Sequence, residues 1–96
     1  MFISVRRYQG AKDVAELARR AEDFAAILKD LPGFKGYYAL DAGDGIVASV
    51  TIFDSKEMAL QSNEKAVAEV KKTMAVLLPE PPEITAGEAM VAISGS

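Results

Sequence analysis

Residues 34–53 read FKGYYALDAGDGIVASVTIF. Two runs rich in β-branched and aromatic residues, FKGYYAL (34–40) and IVASVTIF (46–53), flank DAGDG (41–45). The glycines and aspartates of that segment permit positive φ and local side-chain turns, so the whole is a predicted β-hairpin. It anchors the middle of the chain, and the rest is read outward from it.

On its N-terminal side, Pro32 and Gly33 stop a helix, because a proline disfavours a helical residue before it and a glycine allows the turn. Val14, Leu17, Ala18, Ala21, Phe24, Ala25, Leu28 and Leu31 recur at spacings of three and four. Lys12, Glu16, Arg19, Asp23 and Asp30 fall opposite, which gives an amphipathic helix over residues 11–31. Glu16 and Arg20 form a favourable i,i+4 pair on its exposed side. Before it, FISVRRYQ (2–9) alternates as a first strand.

On the C-terminal side, Asp54 followed by Glu57 resembles a capping box and opens a second helix. PEPP (79–82) ends that helix at Leu78. EITAGEAMVAIS (83–94) completes the pattern as a fourth strand. The order strand, helix, strand, strand, helix, strand is the α+β ferredoxin-like plan, a four-stranded antiparallel sheet with both helices on one face. Right-handed crossovers place the first strand between the third and the fourth. Residues 1–96 are expected to form a single domain.

Composition narrows the function. Eleven Lys and Arg against 14 Asp and Glu give a net charge of −3 with no long block of like charge. Nucleic-acid and anionic-membrane partners are therefore not expected. The chain has no Cys and no His, which removes disulfides, thiolate metal sites and the commonest general base. The longest apolar run, IVASVTIF, falls well short of the roughly 18 to 20 residues of a membrane span. The N-terminal charges follow the first apolar residues, the reverse of a signal peptide. The expected location is the cytoplasm.

If Ile3 and Val5 face the helices, the opposite sheet face receives Phe2, Ser4, Arg6 and Tyr8, together with Tyr37, Val47, Thr51 and Phe53. Such a face is too apolar and aromatic for water. A second copy of the same sheet is its simplest cover, so a homodimer is expected.

The element order, with LPGFKGYYALDAGDGIVASVTIFDS (31–55), SNEKAVAEV (62–70) and PPEITAGEAMV (81–91), resembles the dimeric α/β-barrel superfamily, and within it the antibiotic-biosynthesis-monooxygenase-like (ABM-like) proteins. The resemblance implies two ferredoxin-like sheets paired face to face and a small hydrophobic or aromatic molecule held between helices and sheet. Some such proteins oxidise polyphenols with molecular oxygen and without metal or flavin. The resemblance thus implies a small-molecule-binding protein needing no cofactor. Its leading chemistry is cofactor-independent monooxygenation of an aromatic or polyphenol compound. The other reading is a non-catalytic ligand-binding or structural dimeric barrel.

Asn63 stands in the apolar stripe of the second helix, among Ala59, Ala66, Val70, Met74 and Leu77 at roughly 100° per residue. A buried amide without partners costs on the order of 1 to 3 kcal/mol. Asn63 therefore either bonds a backbone group at an element's end or lines a cavity and offers its amide to a ligand. In the resembling cofactor-free monooxygenases an asparagine occupies this helix with a tryptophan one turn on. Here that next position is Val67, and the chain has no Trp. Haem degradation in the same superfamily uses an iron-holding histidine, which this chain lacks.

Arg6 and Glu88 fall on strands expected to be neighbours, either as an ion pair that orients an acidic substrate or as an interface salt bridge. Tyr8, Tyr37 and Tyr38 are candidate phenolic donors to a ligand, or packing residues with a polar tip. Asp41 and Asp44 are explained by the turn. The same element order occurs in RNA-recognition domains, but GIVASVTIF lacks their basic and aromatic pattern. It also occurs in amino-acid-binding regulatory domains, which usually accompany an enzyme.

Overall fold

The computed structural model describes residues 1–93 and 95. Strand β1 (Phe2–Tyr8), helix α1 (Val14–Lys29), strands β2 (Phe34–Gly43) and β3 (Ile46–Phe53), helix α2 (Lys56–Glu69) and strand β4 (Glu83–Glu88) follow in the predicted order. The strands form an antiparallel sheet in the order β2-β3-β1-β4, with β1 between β3 and β4. This is the ferredoxin-like α+β arrangement.

The hairpin is tighter than its composition suggests. Only Asp44 and Gly45 form the turn, at φ 55 and 75, the pair of positive angles that a type I′ connection requires. β2 therefore continues through Gly43, with a bulge between Asp41 and Gly43 and the Asp41 carboxylate accepting the Gly43 N–H at 2.9 Å. The segment before α1 docks onto this turn: the Ala11 N–H donates to the Gly45 carbonyl at 2.9 Å, and the Lys12 N–H to the Leu77 carbonyl at 2.9 Å.

α1 begins later than residue 11 because Asp13 caps it, its carboxylate accepting the Glu16 N–H at 3.2 Å. Glu16 in turn binds both Arg19 and Arg20, whose hydrogen bonds pull its carboxyl down to about 2. For α2 the cap is Ser55, whose hydroxyl accepts the Met58 N–H at 3.3 Å. Asp54 pairs instead with Lys35 at 3.4 Å. The capping-box expectation thus identified the right place and the wrong residue, since Asp54 is held in the hairpin by its N–H bond to the Gly33 carbonyl.

After Glu69 the helix widens into a π turn, Val70–Met74. Arg20 donates to the Thr73 carbonyl there, tying α1 to the turn. β4 stops at Glu88, short of the predicted strand; Ser94, that prediction's last residue, lies outside the described residues.

Gly33 shows how closely the hairpin and α2 approach. Its φ is +77, and a Cβ added there would lie 2.0 Å from the Met58 sulfur. The thioether can swing aside, but the left-handed backbone remains strained for any L side chain. Gly33→Ala is expected to lower stability by about 1 to 3 kcal/mol, read as a lower urea midpoint.

The sheet faces are the reverse of the sequence expectation. Phe2, Ser4, Arg6 and Tyr8 are buried under the helices, with Thr51 and Phe53 beside them. Phe2 and Phe53 pack with Ala59 of α2, and Tyr8 packs with Leu17, Phe24 and Leu28 of α1. Ile3 and Val5, half-buried, point to the open face with Tyr38, Leu40, Val50 and Ile52. Both faces are apolar, so alternation in β1 does not say which is covered. The large aromatic rings go under the helices, where they bury most area.

Candidate functional site

A cavity of about 280 Å³ lies between α1 and the sheet, with Met74 and Leu78 also on its wall. Its walls are mostly apolar: Leu17, Ala21 and Phe24 from α1, Val47 from β3. The rings of Phe24 and Tyr37 meet edge to face, 6.0 Å apart at 81°. The polar groups on the wall are Arg6, Tyr8, Tyr37, Ser49 and Asp41.

Strand register brings these groups together. Arg6, Ser49 and Ala39 form one cross-strand row on the covered face. Tyr8, Val47 and Asp41 form the next row, while Ser4, Thr51 and Tyr37 lie on the other side. A period of two along each strand then delivers every one of these side chains to the helix side.

Arg6 is 5% exposed. Its Nη2 donates to the Asn63 side-chain oxygen, crossing from β1 to α2. Burial raises the pKa of Tyr8 above 10.0, with the nearby Arg6 charge pulling weakly the other way. Burial likewise raises Tyr37, reinforced by Tyr8 and opposed by Arg6 and a hydrogen bond with Ser49. Both phenols are therefore protonated donors at neutral pH.

The same shifts have a consequence for stability. A folded-state pKa above the unfolded value means that the contribution of the neutral phenols is complete below about pH 10 and is lost as pH rises through the folded value. An absorbance titration of tyrosinate should show two phenols ionising later than the unfolded chain's, with the melting temperature falling across that step. Replacing Tyr8 with Phe should remove one of the two late steps.

The site residues expected from sequence are placed as follows. Arg6, Tyr8 and Tyr37 line the cavity. Asn63 does not line it, and its acceptor oxygen is occupied by a side chain, not a backbone group: it holds Arg6, which does line the cavity. The flanking side chains of residues 66, 67 and 70 lie outside the described residues. Tyr38 is on the open face, 66% exposed, and takes no part in the cavity. Glu88 is opposite Phe2, whereas Arg6 is opposite Ile84. Four residues of strand, roughly 13 Å at 3.3 Å each, separate the two levels. The expected Arg6–Glu88 pair is not formed; Glu88 binds the Met1 amine at 3.3 Å.

Ser49 and the α1 wall were not singled out from sequence. Ser49 follows from the register with Arg6, which alternation alone does not supply. Among the described residues no group of three or more His, Cys, Asp or Glu is arranged to hold a metal ion. No described helix is long and apolar enough to cross a membrane.

No protein-family model matches the sequence. No curated protein matches it either. Solved structures do match by fold. A protein of unknown function from Nitrosomonas europaea superposes with a TM-score of 0.79 at 21% identity, covering 99% of this chain and 94% of that one. SnoaB of Streptomyces nogalater, a cofactor-independent oxygenase seen as an asparagine-to-alanine variant, gives 0.79 at 14%, covering 98% and 97%. A monooxygenase of Streptomyces coelicolor in complex with nanaomycin D gives 0.72 at 19%, covering 99% and 92%. The chain has the fold of the ABM-like proteins.

Proposed function

We propose that this protein binds a compact aromatic molecule in the cavity between α1 and the sheet. The observation that carries this reading is the cavity itself: apolar walls with Arg6, Tyr8 and Tyr37 converging on one region. That is the usual composition of a small-molecule site, in which apolar surface supplies affinity and a few polar groups set orientation. An apolar cavity of about 150 Å³ accepts a benzene ring, so 280 Å³ suits one or two fused rings.

Cofactor-independent oxygenation is the second reading, supported by the fold shared with SnoaB and the S. coelicolor enzyme. In that chemistry the substrate supplies the electrons and dioxygen is the oxidant. A thermal-shift screen against dihydroxyaromatic and quinone-like compounds, with oxygen uptake recorded for each hit, tests both. Stabilisation with oxygen consumption supports the oxygenase, and stabilisation alone supports a binding protein. Absence of any stabilisation counts against the cavity as a ligand site.

The open sheet face supports a homodimer as part of the same proposal. Tyr38 and Leu40 are 66% and 53% exposed beside Ile3, Val5, Val50 and Ile52, a patch of the kind that marks an interface. Light scattering should give the mass of two chains, and Val50→Glu, placing a charge at the patch centre, should halve it. A wild-type mass of one chain rules the dimer out.

A further inference from the structure

We infer that the ligand of this cavity is an anion, a one- or two-ring aromatic carboxylate whose charge lies against the Arg6 guanidinium. The inference rests on the small-molecule reading above and specifies its ligand class.

Arg6 is a buried cation whose one hydrogen-bond partner among the described residues, Asn63, is neutral. None of the ion pairs among the described residues includes it. Buried charges are ordinarily paired, because desolvation is costly without a counter-charge. Its Nε and Nη1 donate to no described residue, yet Ser4 Oγ is the one buried, unpartnered side-chain polar atom among them. Those two Arg6 donors are thus left without a protein acceptor among the described residues, on a side chain that lines the cavity.

The surroundings favour the same charge. Burial holds Tyr8 and Tyr37 in the protonated form, in which each hydroxyl can donate to an anion. The carboxylate on the described cavity wall, Asp41, belongs to the next row at the hairpin end, where it accepts the Gly43 N–H. A region rich in donors around an unneutralised guanidinium matches a carboxylate, which can accept two parallel N–H bonds from one arginine. The apolar wall with the Phe24 and Tyr37 rings takes the aromatic body.

The test is isothermal titration calorimetry of the full chain with 2-naphthoate and with 2-naphthamide, which share shape and differ in charge. The wild type should bind the naphthoate roughly tenfold or more tightly than the amide, the ratio expected for a charge-assisted hydrogen bond. Arg6→Met, close in volume, should bring the two ligands level, and Arg6→Lys should retain part of the preference. Equal binding of both ligands by the wild type overturns the inference and leaves the proposed function standing. A preference that survives in a folded Arg6→Met protein removes Arg6 from it. Binding of neither ligand overturns the inference, and with no hit in the thermal-shift screen it overturns the proposed function as well. The wild-type comparison decides the matter even where Arg6→Met fails to fold.

Discussion

Leu28→Ala is expected to lower stability by about 3 to 4 kcal/mol, within the range measured for truncating a fully buried leucine. Leu28 is 1% exposed and lies in the cluster that joins α1 to Tyr8, Met74, Leu77 and Leu78. The loss has two parts: the transfer free energy of the deleted carbons, and the void left where neighbours cannot collapse. The size of the second part depends on how far the neighbours close in, and Tyr8, Met74 and Leu78 also line the cavity. For a chain of this size the melting temperature should fall by roughly 12 to 30 °C. A urea melt should show a lower midpoint with an unchanged slope. A fall of only a few degrees would mean that α1 settles onto the sheet and closes the space, and ligand binding would then be lost with the volume.

Asn63 gives the second large effect, and two substitutions separate its causes. Asn63→Ala removes the acceptor of a buried guanidinium and should cost about 2 to 3 kcal/mol, the upper range for hydrogen bonds to charged groups. Asn63→Asp keeps an acceptor and adds a counter-charge, so its stability should stay near that of the wild type at neutral pH. On acidification the new carboxylate protonates, the pair is lost, and the melting temperature should fall more steeply than in the wild type. The same aspartate neutralises Arg6 and should abolish binding of anionic aromatics while sparing neutral ones. Equal stability of the Ala and wild-type proteins would show that the Arg6–Asn63 bond contributes nothing.

The order of elements and the place of β1 inside the sheet are legible in the sequence because they rest on local signals. The hairpin glycines, the proline stops and the three-and-four spacing of α1 each act over a few residues. The covered face of the sheet is not legible in the same way. Val5 is apolar and Arg6 is charged, yet Arg6 is the one beneath the helices: it shares the face of Phe2 and Tyr8, and Asn63 meets it there across 57 positions of sequence. Asn63 stands out in the sequence as an amide in an apolar stripe, and Arg6 is the partner that such an amide demands. The partner was hidden because it belongs to a strand whose register is set by pairing, not by composition. Glu88 illustrates the same limit: its strand was identified, and its level along that strand was not.

The two amide bonds that hold the segment before α1, from Ala11 to the hairpin turn and from Lys12 to Leu77, fasten one end of the cavity's helical wall to two separate parts of the chain. That wall is pinned at its N-terminal end and again near its middle, where Arg20 reaches the π turn. A rigid swing of α1 as a gate would have to break all three fastenings at once. For the proposed ligand the pocket is therefore a sieve of fixed mesh rather than a jaw, its width set by the lining side chains and not by a moving helix.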